Sequence, residues 1–218
     1  LLSLTMSTFM QMLLAVSALA VAIPVGAQAQ QVAATASSGG VITAERPELK
    51  IGDRWGYSFN GSNPYAITVQ SIDADGKNVS AWKDRNSKRS GVSVRDKNLN
   101  PIGPRGETYL TFDFPLSVGK TETSSYEVTD SNGDVWYNKV TRTVVAFEKR
   151  SVPAGTFDTF KVVTVRTYNM SNQWGGNSGT VTDTLWYASE VRNFVERVID
   201  TQIGKPAVRH LLDFSLRE

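Results

Sequence analysis

"SEVRNFVERVIDTQIGKPAVRHLLDFSL", residues 189–216, sets two patterns side by side. From 208 onward the alternation has period two. Val208, His210, Leu212, Phe214 and Leu216 fall on one face, and Arg209, Asp213, Ser215 and Arg217 on the other, with Leu211 the exception. Period two with charges on one side marks a half-buried antiparallel strand. On that pattern His210 points inward as a core histidine. The first half reads differently. Val191, Phe194, Val195, Val198 and Ile199 recur at helical spacing, with Ser189 placed to cap and Gly204 to stop. Against a helix stand the β-branched content and the strand waiting beyond the turn "QIGKPA". We expect a strand across 189–203 and a hairpin over 194–216, which leaves the fold all-β.

The rest of the chain supports that class. "DRWGYSFN" runs into the turn cluster "GSNP". "YAITVQSI" and "NVSAW" flank "DADGK", and "SSYEVTD" and "DVWYNKVTRTVVAF" flank "SNG". Asp-Gly and Asn-Gly between β-rich runs are strong hairpin signals, because glycine takes positive φ freely. "GTVTDTLWYA" is rich in Thr, Val and aromatics, which suit a pleated surface. In "SVPAGTFDTFKVVTV", 151–165, Pro153 and Gly155 hold the second and fourth positions of a β-turn. Apolar residues then occupy both faces, as in a central strand or a bulge. "PELKIGDRW" (47–55) and "FPLSVGKTE" (114–122) share Leu-x-[Ile/Val]-Gly ahead of a β-type run, a weak internal echo. The expected fold is one antiparallel curved sheet, an incomplete barrel or a sandwich, of about ten strands. It fills residues 45–218 as a single domain, with 45–112 and 113–218 as two halves that the echo would relate.

"FPLSVGK", "VPAGTFDTFKV" and "LWYASEVRNFV" together resemble a pattern of uncharacterised exported bacterial all-β proteins. The resemblance covers roughly residues 112–217 and implies strands around residue 194. Ser189 stands where proline is common in that family, and Glu122 near a usual tryptophan. A weaker similarity is to the curved sheets of periplasmic lipoprotein carriers, which bind acyl chains.

The N-terminal stretch points to export. "MLLAVSALAVAIPVGAQAQ" is an apolar run of signal-peptide length ending in the small-x-small site Ala27-Gln28-Ala29, so residues 1–29 read as a signal peptide. No Lys or Arg precedes the run, and the first charged residue is Glu45. Pro24 and Gly26 leave it short for a span of about 20 apolar residues. No membrane span is expected after cleavage. Residues 30–44 are small and uncharged, a flexible lead-in. The chain has no cysteine, so it forms no disulfide and carries no lipobox for a lipid anchor. With 23 basic and 21 acidic residues, it shows no charge bias toward nucleic acid.

Catalytic and metal chemistry find little footing. There is no cysteine nucleophile, and Gly91-Val92-Ser93-Val94-Arg95 lacks the closing glycine of a nucleophile elbow. Asp158 is a lone carboxylate beside a turn. Asp73, Asp75 and Asn78 around Gly76 resemble part of a calcium loop, but Trp82 stands where the closing glutamate belongs. One histidine and no cysteine leave no zinc site. We expect no enzyme, no cofactor and no metal.

Two binding candidates remain. "KDRNSKRSGVSVRDK", 83–97, reads as a solvated loop whose Lys83, Arg85, Lys88 and Arg89 are suited to an anionic envelope polymer or lipid headgroup. Trp174, in the loop "SNQWGGNSG", is placed to stack on a sugar or enter a membrane interface. Trp136 and Trp186 lie in strand runs, as core residues or as a ligand platform. The function these features favour is a periplasmic or secreted, non-enzymatic β-protein binding an apolar ligand, with lipid, glycan or envelope polymer as the partner. The alternative is a structural or protein-interaction module without a small ligand. N-terminal sequencing of the exported protein should begin at Gln30; a mature product that keeps residues 10–25 would refute the signal peptide.

Overall fold

Twelve strands build the domain in the computed structural model, which describes residues 40–103, 106–130, 132–172 and 175–218. In chain order they are β1 (Thr43–Ala44), β2 (Arg54–Phe59), β3 (Ser62–Ile72), β4 (Asn78–Asp84), β5 (Ser90–Arg95), β6 (Leu116–Ser117), β7 (Thr121–Thr129), β8 (Val135–Val152), β9 (Gly155–Asn172), β10 (Gly175–Ala188), β11 (Asn193–Asp200) and β12 (Ala207–Ser215). Ten form one antiparallel sheet, ordered β5-β4-β3-β2-β12-β11-β10-β9-β8-β7, while β1 pairs with β6. The sheet does not close into a barrel. The leader, residues 1–29, lies outside the described residues.

Local turn chemistry sets the hairpins. Asn60 and Gly61 both have positive φ between Phe59 and Ser62, the requirement of a tight I′-type turn. Val152–Gly155 makes the expected turn of the β8–β9 hairpin, with Gly155 at φ 144°, a region closed to side-chain-bearing residues. The run 83–97 is a hairpin and not an open loop: β4 ends at Asp84 and β5 begins at Ser90.

The echo between 47–55 and 114–122 has a structural counterpart. Gly52 (φ 92°) donates to Val69 O, Val69 N donates back to Asp53 O, and Asp53 N closes a turn on Lys50 O. Gly119 (φ 90°) donates to Val144 O, Val144 N to Lys120 O, and Lys120 N to Ser117 O. In both places the following register shift falls just after the valine, at Val69/Ser71 and at Val144/Ala146.

Residues 189–203 are a single 3-10 turn, Ser189–Val191, followed by strand β11. The helical spacing arises because Asn193–Glu196 are buried in succession. A strand covered on both faces reads as a continuous run, not an alternation. Two buried aromatics of β2 fix this segment: Trp55 Nε1 donates to Val191 O and Tyr57 Oη to Phe194 O, each at 2.8 Å.

The C-terminal strand corrects one expectation. The register shifts between Leu211 and Asp213, so the faces do not continue through the strand. Leu211, the apparent exception, is fully buried opposite Tyr57. His210 is not a core residue. Its side chain is 35% exposed, with Nε2 3.6 Å from the Glu196 carboxylate. A bulge is invisible to a period count, which is why the inward face was misassigned.

The chain leaves the sheet at β5 and re-enters at β7, the two outer strands. At about 4.8 Å per strand, nine gaps would separate them by roughly 43 Å. Residues 96–120 therefore cross one face, here called the inner face. Leu99, Asn100, Phe112 and Leu116 of this strap are buried, and Phe112 and Phe114 pack on Tyr187 with ring centroids 5.3 and 5.1 Å away. Asn100 ties the strap to itself. Its Oδ1 accepts from Thr111 N (2.6 Å) and Phe112 N (2.7 Å), and its Nδ2 donates to Asp96 Oδ2 (3.2 Å). Asn100→Ala orphans two backbone donors in the interior and should cost about 2–4 kcal/mol. Urea unfolding checks this, and a loss below about 1 kcal/mol would show that the strap is not held there.

Candidate functional site

The strap covers only part of the inner face. Beside it, β2, β3, β4, β5 and β12 enclose an open hollow of about 580 Å³, lined by Phe59, Asn63, Tyr65, Ile67, Trp82, Asp84, Ser87, Arg89, Ser93, Arg95 and Arg209. Strand pairing assembles the floor. Tyr65 and Ile67 are two apart on β3, Ile67 opposes Trp82 on β4, and Trp82 opposes Gly91 on β5. The indole lies over Gly91, where a Cβ would meet Trp82 Nε1 at 2.6 Å. Glycine at 91 is thus what lets Trp82 lie flat in the hollow. Arg95 opposes Asn78 at the far end, and Arg209 enters from β12, 5.7 Å from the Phe59 ring.

The polar groups around this apolar floor are mostly donors. The guanidinium groups of Arg95 and Arg209, Trp82 Nε1 and Tyr65 Oη have no hydrogen-bond or ion-pair partner among the described residues. Burial lowers the pKa of Arg95, and the positive charges of Arg197 and Arg209 push the same way against Tyr57 and Tyr65. Burial raises Tyr57 well above its ordinary value and raises Tyr65 as well. The one carboxylate in the lining is Asp84, whose Oδ1 accepts from Asn86 N at 2.9 Å, a bond that holds its pKa low. Arg197 opposes Arg209 in register but is satisfied by Asp183, at 2.5 Å. It leads to a second hollow of about 340 Å³ between the strap residues 109–111 and β8–β11.

The expected site residues are scattered. Trp174 lies outside the described residues. Trp136 sits near the start of β8, its ring 5.4 Å from Tyr168 and its Nε1 on Asp130. Trp186 is buried on the outer face, where Nε1 donates to Glu148 at 2.7 Å and the Arg150 guanidinium lies 4.2 Å above the ring. Arg150 also binds Glu196, which opposes His210, so Trp186 belongs to a polar row on that face. Of the four basic candidates, Arg89 alone lines the hollow. Arg85 turns to Asp213 (2.6 Å) on the outer face, and Lys83 and Lys88 are exposed. Asp158 pairs with Lys149 on the surface, and the Asp73 carboxylate is taken up by the backbone N–H groups of Asp75 and Lys77.

Reading the sequence missed Tyr65, Trp82 and Arg209. Tyr65 and Ile67 stand at period two on β3 and so share a face, but nothing in the chain marks that face as one the strap leaves open. The alternation puts Arg209 on the outward face, and the bulge at Leu211/Asp213 turns it inward.

No family model matches the chain, and neither does any curated protein. Among solved structures, a candidate lipoprotein from Parabacteroides distasonis is similar with a TM-score of 0.51 at 14% identity, over 80% of this chain and 100% of that one. A candidate exported protein with a YmcC-like fold from Bacteroides fragilis gives 0.44 at 15% identity, over 79% and 99%. The hypothetical lipoprotein YmcC from Escherichia coli gives 0.41 at 12%, over 76% and 85%. The likeness to the Parabacteroides protein is one of fold alone.

The Asp213 pairing behind the hollow has a pH signature. Burial pushes its pKa up, but hydrogen bonds from Arg85 and Arg54 outweigh this and hold it below the ordinary 3.8. The unfolded chain binds this proton more readily, so the stabilisation is present above pH 3.8 and lost as pH falls through the folded value. Asp213→Asn should lower stability near neutrality and decline less steeply with acid below about pH 4. Unfolding curves at stepped pH read this, and parallel acid declines for variant and parent would contradict it.

Proposed function

We propose that this chain is an exported, non-catalytic binding protein that takes an apolar or amphipathic ligand in the hollow lined by Phe59, Tyr65, Ile67 and Trp82. The observation that carries the reading is the hollow floored by Phe59, Tyr65, Ile67 and Trp82, open on the inner face beside a strap whose Leu99, Phe112 and Leu116 are buried. Water over such a floor is released when an apolar group replaces it, which favours binding without any directed chemistry. The signal-like leader supports export, and the fold likeness to a candidate bacterial lipoprotein is compatible with it. Among the described residues no helix is long and apolar enough to cross a membrane. Of the two outer strands, β7 exposes Thr121, Thr123, Ser125, Glu127 and Thr129, a polar row that speaks against a flat apolar docking edge there.

Titration with the neutral fluorescent probe N-phenyl-1-naphthylamine tests the site. Binding to the parent protein is expected, weakened about tenfold by Trp82→Ala, or about 1.4 kcal/mol. Ile67→Asp should weaken it further, and Trp186→Phe on the opposite face should leave it unchanged. No probe binding, or equal binding by every variant, would remove the hollow as a ligand site.

A further inference from the structure

Four donor groups with no hydrogen-bond or ion-pair partner among the described residues belong to the lining of one apolar-floored hollow: the Arg95 and Arg209 guanidinium groups, Trp82 Nε1 and Tyr65 Oη. Arg89 adds a third positive charge at the rim, and Asp84 is the only carboxylate among the lining residues. Asp84 already accepts the backbone N–H of Asn86 and sits on the β4–β5 turn, at the opposite end of β5 from Arg95. Both arginines are half-buried at the open hollow, and two like charges facing one hollow repel. Burial and the neighbouring Arg197 and Arg209 charges already disfavour the charged form of Arg95. Six other arginines each meet a carboxylate: Arg54 and Arg85 meet Asp213, Arg142 meets Glu122, Arg150 Glu196, Arg192 Asp53 and Arg197 Asp183.

Resting on the reading of this hollow as an apolar-ligand site, we infer that its ligand carries an oxyanion head, carboxylate or phosphate, held by Arg95 and Arg209 while its apolar part lies on Ile67, Trp82 and Phe59. The planar guanidinium matches a carboxylate or phosphate edge with two parallel hydrogen bonds, which a lysine in its place would not supply. Tyr65 Oη and Trp82 Nε1 add two donors to the same lining. The apolar floor excludes water on one side of the head, which strengthens each of these bonds. The two natural sources of that chemistry are a fatty-acid carboxylate and a lipid phosphate.

Calorimetric titration of the full exported protein with decanoate, decyl phosphate, decanol and inorganic phosphate tests this and separates the sources. Decanoate, decyl phosphate or both should bind at least about tenfold tighter than decanol. Arg95→Gln and Arg209→Gln should each remove most of that advantage while decanol binding holds. Lys149→Gln, which removes the same charge from the hairpin far from the hollow, should change nothing. Tyr65→Phe provides a milder second variant if either arginine change prevents folding, with a loss of a few fold for the anionic ligand only. A preference for decyl phosphate over decanoate identifies a lipid phosphate; the reverse identifies a fatty acid. Equal affinity for decanol and both anions overturns the oxyanion head but leaves the apolar site standing. Inorganic phosphate binding as tightly as decyl phosphate overturns the amphiphile and leaves a small-anion site. Binding of none of the four removes the site itself.

Discussion

Residues 96–120 join the two outer strands of an open ten-strand sheet, and the rest of the molecule is arranged around that crossing. An antiparallel sheet of this size has two faces and two edges to protect. The strap buries the middle of one face with Leu99, Phe112, Phe114 and Leu116, and its own backbone is satisfied by Asn100 and by the β1–β6 pair. Because the strap is narrower than the sheet, it cannot cover the whole inner face. The hollow at β2–β5 is the part it leaves.

The opposite end of the same face is closed by different means. The β8–β9 hairpin is long enough for its tip to reach β12, where Ala154 N donates to Leu211 O. β11 and β12 pair only from Glu196 to Ile199, so beyond that point the hairpin tip takes up the carbonyl that the parting strands expose. Trp55 and Tyr57 do the same for the 3-10 turn and for β11, where a bulge and a turn leave carbonyl groups without a ladder partner. Aromatic residues with a polar tip suit this, since the ring fills the core while the tip satisfies one acceptor. Asp53 gathers the ends, accepting from Lys50 N, Arg217 N and Arg192 Nη1 while fully buried.

The two glycine turns at Gly52 and Gly119 introduce β2 and β7 with the same three hydrogen bonds, and each is followed by a bulge at the matching valine. One half then runs β2 to β5 and the other β7 to β10, in the same direction across the sheet, with β11 and β12 between them. The halves differ in what they do with their inner faces. The first leaves Tyr65 and Trp82 half-buried at the hollow with Ile67 buried in its floor, while the second packs Leu185 and Tyr187 under the strap.

The sequence by itself determined the class, the hairpins and most strand limits. These depend on short-range physics: period-two burial, Asn-Gly and Asp-Gly turns, and Pro-Ala-Gly before Thr156 are all settled within a few residues. It also favoured the strand at β11, because the partner at β12 outweighed a helical spacing produced by burial on both faces. Only the tertiary structure decided which faces are inner, since one extra residue at Leu211/Asp213 inverts the alternation and no composition marks it. Only the tertiary structure decided the hollow, because its floor and its arginines come from strands whose pairing spans Phe59 to Arg209. Arg95 and Arg209 look like ordinary surface charges in the chain. The pairing of β5 and β12 into one sheet puts both in the lining of one hollow, and among the described residues neither has a carboxylate partner.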